Sequence, residues 1–290
     1  MTSGYWRPFP SPERRVLKKL AKAALAEDLG TGDITTDAII PAGRQAQAFI
    51  IAKDNGVLAG IPLAREVLHH LDRHSRIHAL AHEGQPVRKG QRIADLHGSL
   101  RAILTGERVM LNFLCQLSGT ATLTRTFVRR AGRHGVSILD TRKTTPLLRV
   151  MEKYAVRVGG GNNHRLTLSD AVLIKDNHID AAGSVIRAVR LVRSRLGHRH
   201  TIIQVEAQSL DQVREALAAK VHAIMLDNMT TAHMRQALKI ARGKAKVEIS
   251  GGVTLGTVEK YASLKPDYIS AGALTHSAPA LDFSLEIVKK

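Results

Sequence analysis

The residues most able to do chemistry in this sequence stand just after short apolar runs. Arg142 and Lys143 follow VSILD in the stretch DTRKT, and His164 and Arg165 close the stretch GGGNNHR. Lys175 follows AVLI, Glu206 and Asp227 end two further runs, and Ser250 opens SGG. An arginine grips a carboxylate with two parallel hydrogen bonds, whereas a lysine acts as a compact point charge. Neighbouring glycines let backbone amides come close to an anion. Glu206 and Asp227 form a pair that can hold Mg²⁺, with water and substrate phosphates as further ligands, or can work as an acid and a base. The small residues of SGG (Ser250, Gly251 and Gly252) and of SAGALTHS (including Gly272 and His276) sit where α/β barrels cradle a phosphate. One terminal phosphate, one metal diphosphate and one polycarboxylate together describe a phosphoribosyl diphosphate meeting an acidic acceptor. Each feature also has a plainer reading: a solvated loop for DTRKT, a flexible loop for GGGNNHR, ordinary turns for the two late loops, and a structural histidine for His178. No GK[ST] follows the glycines, no GxGxxG occurs, and no Cys/His cluster argues for zinc.

These side chains need a frame that delivers them to one place. From Val136 onward the runs VSILD, AVLIKD, TIIQVEA, HAIMLDN, KVEIS and DYISAG alternate with amphipathic stretches such as SVIRAVRLVRSRL, LDQVREALAA and TAHMRQALKIA. Ser209 can cap the second of these helices, and Thr230 or Thr231 the third. Six strands with helical returns predict a parallel α/β barrel or a doubly wound sheet. Asp140, Lys175, Glu206, Asp227 and Ser250 fall at or just after the C-terminal ends of the runs. Functional residues at that many strand ends fit a barrel mouth better than a single switch point. In LIKDNHI, strand alternation puts Lys175 and Asn177 on one face and Asp176 on the other.

The first third reads differently. RQAQAFIIAKDNGVLAG has strand character with a turn at DNG, IPLAREVLHHL is a helix, and HEGQPVRKGQRIADLHG carries glycine-spaced turns. LTGERVMLNFLCQLSGTATLTRTFVRRA is a long helical stretch with an expected interruption near LSG. The fold class is therefore α/β: an N-terminal α+β sandwich domain over residues 1–115, with a flexible tail at 1–12, then a barrel of about six strands over 116–275. A C-terminal segment, 276–290, is expected to pack back on the N-terminal domain.

Composition bounds the function. The 290 residues are 44% hydrophobic, so a sizeable core is available. No apolar stretch is long enough to span a bilayer, the N-terminus lacks the apolar middle of a secretory signal, and the single cysteine excludes an internal disulfide. A cytoplasmic protein is the expectation. The net charge of +18 fits nucleic acid or strongly anionic small substrates, but aromatic residues are only 3%, which leaves few base-stacking platforms.

Taken together, EDLGTGDITT, GERVMLNFLCQLSGTAT, DTRKTTPLLRVMEKYAVRVGGGNNHR, LIKDNHI, VEA, LDNM, SGGV and SAGALTHS resemble the quinolinate phosphoribosyltransferase family, in order and spacing, over nearly the whole chain after the tail. The resemblance implies a type II phosphoribosyltransferase that converts quinolinate and phosphoribosyl diphosphate, with Mg²⁺, into nicotinate mononucleotide, diphosphate and CO₂ in de novo NAD biosynthesis. It implies an incomplete α/β barrel of about six strands joined to the N-terminal domain, in a homodimer or a higher assembly of dimers. It implies that Arg142, His164, Arg165 and Lys175 bind quinolinate, with Arg108 joining them from the neighbouring subunit. Lys143, Glu206 and Asp227 would serve phosphoribosyl diphosphate and its metal, the two carboxylates acting directly or through water. Ser250, Gly251, Gly272 and His276 would hold the 5′-phosphate. One departure is Thr167, two residues after NHR, where the family often has glycine. The alternatives are a related phosphoribosyltransferase of altered acceptor specificity, such as the homologue associated with molybdate transport, a nucleic-acid-binding protein, or a carrier module suggested by EGQPVRKGQRIADLHG. The intact Arg/His/Arg/Lys cluster argues against the first. Scarce aromatics argue against the second, and the missing lysine hairpin against the third.

Overall fold

The computed structural model describes residues 12–197 and 202–288. The sequence-expected tail at 1–12 therefore lies, but for its last residue, outside the described residues. The elements run α1 (Arg14–Leu29), α2 (Ile34–Ile39), β1 (Gln45–Ala52), β2 (Gly56–Val57), α3 (Ile61–Leu71), β3 (Arg76–Ala79), β4 (Pro86–Val87), β5 (Arg92–Ser99) and α4 (Leu100–Gly132). They continue with β6 (Ser137–Leu139), α5 (Arg149–Val158), β7 (Val172–Ile174), α6 (Asp176–Ala182), α7 (Val185–Leu196), β8 (Ile203–Ala207), α8 (Leu210–Ala218) and β9 (Ala223–Asp227). The last are α9 (Thr231–Ala241), β10 (Lys246–Ser250), α10 (Val258–Ala262), β11 (Tyr268–Ser270), α11 (Ala273–His276) and β12 (Phe283–Ile287).

Two compact units share the chain. The N-terminal unit holds residues 9–125 and takes back 150–160 and 278–290, and the barrel unit holds 126–149 and 161–277. The sequence boundary near residue 115 falls inside α4, a helix that leaves the first unit and ends in the second.

The N-terminal unit is built on an antiparallel sheet of order β12-β1-β5-β3. The burial of β1 alternates toward its end, with Ala48, Ile50 and Ala52 inside, as a sheet with one covered face requires. Helices α1 and α3 supply apolar stripes, Leu17, Ala21 and Leu25 from one and Leu63, Val67 and Leu68 from the other. The interruption expected near LSG does not occur: α4 is continuous through Leu117, Ser118 and Gly119. The small residues are there for close packing. A Cβ at Gly119 would stand 2.0 Å from the Pro279 carbonyl oxygen, and Ser118 Oγ accepts the Ala59 N–H at 2.9 Å while donating to the Ala59 carbonyl at 3.1 Å.

The barrel unit carries a six-stranded parallel sheet of order β6-β11-β10-β9-β8-β7. The first strand lies beside the last, and each interior strand lies beside its sequence neighbour, so the sheet curls almost to closure. The remaining gap falls between β6 and β7, which is what makes the barrel incomplete. A parallel bridge from Leu139 to Asn162 extends the sheet at the free edge of β6. Val205, Ile224, Leu226, Ile249 and Ile269 are fully buried, and these runs are apolar on both faces because helices cover the outside. Ser184, Ser209 and Thr230 cap α7, α8 and α9, each accepting a backbone N–H three residues on. The strand alternation expected through LIKDNHI stops at Ile174. Lys175 is already the N-cap of α6, and His178 Nδ1 accepts the Lys175 N–H at 3.0 Å.

Candidate active site at the barrel mouth

The site starts from one buried carboxylate. Asp140, directly after β6, is fully buried, and its Oδ1 accepts the His164 backbone N–H at 2.9 Å while its Oδ2 accepts Asn163 Nδ2 at 2.5 Å. The Asp140 N–H donates in turn to the Asn162 carbonyl at 3.1 Å. These bonds tie GGGNNHR to the end of β6, so the two basic stretches of sequence arrive at one place. Arg149 adds a second tie, donating to Thr144 Oγ1 at 3.0 Å and to the Leu166 carbonyl at 3.2 Å.

Arg142 and Arg165 are the electrostatic centre. Arg165 donates to the Ala171 carbonyl at 2.8 Å, but its Nε, like the Nε of Arg142, is buried with no hydrogen-bond partner. Burial first, and then the charge of Arg142, push the Arg165 guanidinium below its ordinary pKa, while Asp170 opposes the shift. Two like charges held together and partly stripped of water create a demand for an anion.

His164 is 4% exposed and uses both ring nitrogens inside the protein. Its Nδ1 accepts the Arg165 N–H at 2.8 Å, which leaves the ring proton on Nε2, and Nε2 donates to Gln204 Oε1 at 3.1 Å. Gln204 Nε2 then donates to Glu248 Oε2 at 2.8 Å. Because Nδ1 acts as an acceptor the ring is neutral, so the 3.7 Å approach of His164 Nε2 to Glu248 is not an ion pair. Burial pushes the Glu248 carboxyl up to about 7, and the charges of Glu206 and Asp140 add to the rise against its side-chain hydrogen bonds with Ser270 and Gln204.

On the same side of the sheet, two positions beyond Gln204 on β8, Glu206 Oε2 meets Lys175 Nζ at 2.9 Å, with the lysine half exposed and the glutamate buried. Glu206 and Asp227 end adjacent strands, with Ala207 paired to Leu226 in the register. Asn228, at φ 52°, donates from Nδ2 to Asp227 Oδ2 at 2.8 Å. Gly251 lies against it: a Cβ there would stand 2.3 Å from Asn228 Oδ1, and its φ of 85° favours glycine in any case. Ser270 Oγ donates to Ser250 Oγ at 3.0 Å, joining the two late loops. Gly272 sits under Lys143 and His276, since a Cβ on it would be 2.9 Å from Lys143 Cδ and 3.0 Å from His276 Nε2. Thr275 Oγ1 fastens this corner by donating to the Lys143 carbonyl at 2.7 Å.

The barrel unit therefore brings together Arg142, Lys143, His164, Arg165, Lys175, Glu206, Asp227, Ser250, Gly251, Gly272 and His276. Arg108 belongs to the N-terminal unit, exposed on α4. Thr167 is held by Asp170, to which it donates from its N–H at 2.8 Å and its hydroxyl at 2.7 Å, so this turn is built on a carboxylate. Sequence reasoning missed Gln204, Glu248, Asn228, Arg149 and Thr275. Gln204 and Glu248 were marked by one signal: each is a polar residue two positions before a strand-end site residue, hence on the same face of its strand.

Fold and site define a parallel α/β-barrel enzyme whose mouth is built for small polyanions. Comparison with known proteins narrows this. Residues 120–286 match the C-terminal domain of quinolinate phosphoribosyl transferase and residues 33–118 match its N-terminal domain. The chain is 46% identical over 268 residues to a probable carboxylating nicotinate-nucleotide pyrophosphorylase of Synechocystis, covering 91% of this chain and 90% of the relative. It is 44% identical to the protein of the same description in Bacillus subtilis, covering 93% of each. The solved structure of the Francisella tularensis nicotinate-nucleotide pyrophosphorylase aligns with a TM-score of 0.91 at 39% identity, over 96% of this chain and 98% of the other. The chain belongs to the quinolinate phosphoribosyl transferase family.

Proposed function

We propose that this chain transfers the phosphoribosyl group of phosphoribosyl diphosphate to the ring nitrogen of quinolinate and removes the 2-carboxylate, giving nicotinate mononucleotide, diphosphate and CO₂ in de novo NAD biosynthesis. The observation that carries the reading is the pair of buried guanidinium nitrogens, Arg142 Nε and Arg165 Nε, that lack a partner. A dicarboxylate supplies what they lack. Arg142, His164, Arg165 and Lys175 form the quinolinate subsite. Gly272, His276, Ser250 and Gly251 hold the 5′-phosphate, and Lys143 stands beside them for the diphosphate. Among the described residues no helix is long and apolar enough to cross a membrane, and we assign the reaction to the cytoplasm.

Mg²⁺ fits the donor set. Glu206 and Asp227 offer hard oxygens on adjacent strand ends, and no group of three or more candidate ligands occurs among the described residues, so water and diphosphate would complete the shell. When bound, the ion neutralises charge on the departing diphosphate. The chain's own residues do the rest. The cationic subsite fixes the acceptor with its nitrogen facing the anomeric carbon. As the C–N bond forms and the C–O bond to diphosphate breaks, Lys143 faces the developing negative charge. The ring nitrogen is now cationic, so the C2–carboxylate bond can break to release CO₂, its electron pair staying on C2 until a proton replaces the lost group.

Arg108 completes the subsite from the neighbouring subunit of a homodimer in this reading. The test is substrate choice. Nicotinate lacks the 2-carboxylate and would leave a buried cation unpaired, at a cost of a few kcal/mol, so kcat/KM for nicotinate should fall roughly a hundredfold or more below that for quinolinate. Comparable turnover of the two acids, followed by diphosphate release, would sink the assignment.

A further inference from the structure

Two residues with no assigned role, Gln204 and Glu248, lie beneath the quinolinate subsite, and both are fully buried. They come from different strands, β8 and β10, and are joined by the 2.8 Å bond from Gln204 Nε2 to Glu248 Oε2. The amide has one donor side and one acceptor side. Its donor side is committed to the carboxyl, so its Oε1 is left facing His164 Nε2 and can only accept. That fixes the imidazole proton on Nε2 and frees Nδ1 to accept the Arg165 N–H at 2.8 Å.

From the other side Asp140 holds the same segment, through the His164 N–H and Asn163. The imidazole is thus clamped between a carboxylate on its backbone and an amide–carboxyl arm on its ring. The residue whose backbone it steadies is Arg165, whose guanidinium is buried beside Arg142 with one nitrogen unpartnered.

We propose that Gln204 and Glu248 are positioning residues for quinolinate: they set the tautomer and angle of His164, and through its Nδ1 they hold Arg165 in the pose that receives the acid. The inference rests on the quinolinate reading above. Gln204 touches neither phosphate loop, and Glu248 meets only Ser270, at the head of SAGALTHS. Their loss should therefore act on one substrate more than on the other, which a general loosening of the core would not do.

The experiment is Gln204→Met, which keeps the side-chain length and removes both hydrogen bonds. The quinolinate KM should rise about tenfold, the consequence of one lost buried hydrogen bond, while the phosphoribosyl diphosphate KM stays within about twofold. Glu248→Leu should repeat that split, and Glu248→Gln, whose amide oxygen can still accept from Gln204, should restore most of the quinolinate affinity. An unchanged quinolinate KM in Gln204→Met, or an equal rise in both KM values, overturns the proposal. A second measurement stands if that variant does not fold. Nitrogen-15 spectra of wild-type protein labelled at histidine, with His164 assigned by comparison with Glu248→Gln, should show Nε2 protonated and Nδ1 bare at pH 8. A ring protonated on Nδ1 overturns the proposal. Absence of any quinolinate turnover by the wild type would instead refute the functional reading, and the spectra would still decide the clamp.

Discussion

Glu248 shows how a single side chain can be read and tested at the residue scale. Its carboxyl is pushed from 4.5 up to about 7 because burial penalises the charged form. The folded state therefore holds a proton that the unfolded state gives up, and this contribution to stability is fully present below about pH 4.5 and is lost as pH rises through about 7. The total is on the order of 3 kcal/mol, from the size of that shift. Glu248→Gln cannot ionise, so its stability relative to wild type should climb between pH 5 and 7.5 and level off above. Urea unfolding at a series of pH values measures this; a difference that stays flat with pH would show that Glu248 titrates as an ordinary carboxyl. The side chains that would meet a ligand were legible in the sequence because they stand after apolar runs, where a cation or carboxylate has no packing reason to be. Gln204 and Glu248 carried only the weak signal of sharing a strand face with a site residue: they lie inside such runs, and a polar residue there gains a role only once a partner from another strand faces it.

At the scale of elements, the order of strands and helices was legible and the joints were not. The six apolar runs became β6 to β11 in sequence order, since a buried parallel strand has to be apolar on both faces. The strand in the LIKDNHI stretch stops at Ile174, three residues short of the alternation expected through Asn177, because the Lys175–His178 capping arrangement competes with the pleat. LSG misled for a different reason. A glycine inside a helix weakens it by only about 1 kcal/mol, and packing overrides that. Gly119 stays helical because the Pro279 carbonyl occupies the place of its Cβ. Gly119→Ala gains in helix propensity yet should destabilise the protein by about 1–3 kcal/mol, since the contact is with backbone that must move. Chemical denaturation would check the sign. A stabilised Gly119→Ala would mean that propensity, not the close approach, governs that turn.

For the whole molecule, the net charge of +18 and the division of the site residues between two units set the last expectation. All the proposed quinolinate and phosphoribosyl diphosphate ligands but Arg108 lie within the barrel unit; Arg108 lies on α4 in the other. A charged transition state is better stabilised away from bulk water, so a second surface over the mouth has a chemical purpose. In a two-fold dimer each chain both gives and receives the same contact. If Arg108 serves a neighbour, each site is made from one chain's Arg108 and the other chain's Lys143. Homodimers of Arg108→Ala and of Lys143→Ala should then both be nearly inactive. In a mixed dimer one site collects both lesions and the other collects neither. Random pairing makes half the dimers mixed, each with one intact site of two, so co-refolded protein should recover up to roughly a quarter of wild-type activity. Subunit exchange can be verified with differently tagged chains. With exchange verified and no activity recovered, Arg108 would have to act within its own chain or not at all, and the shared site would be wrong. Because the substrates are anions and the protein is strongly basic, the complementation assay belongs at one fixed ionic strength, where electrostatic steering contributes equally to every sample.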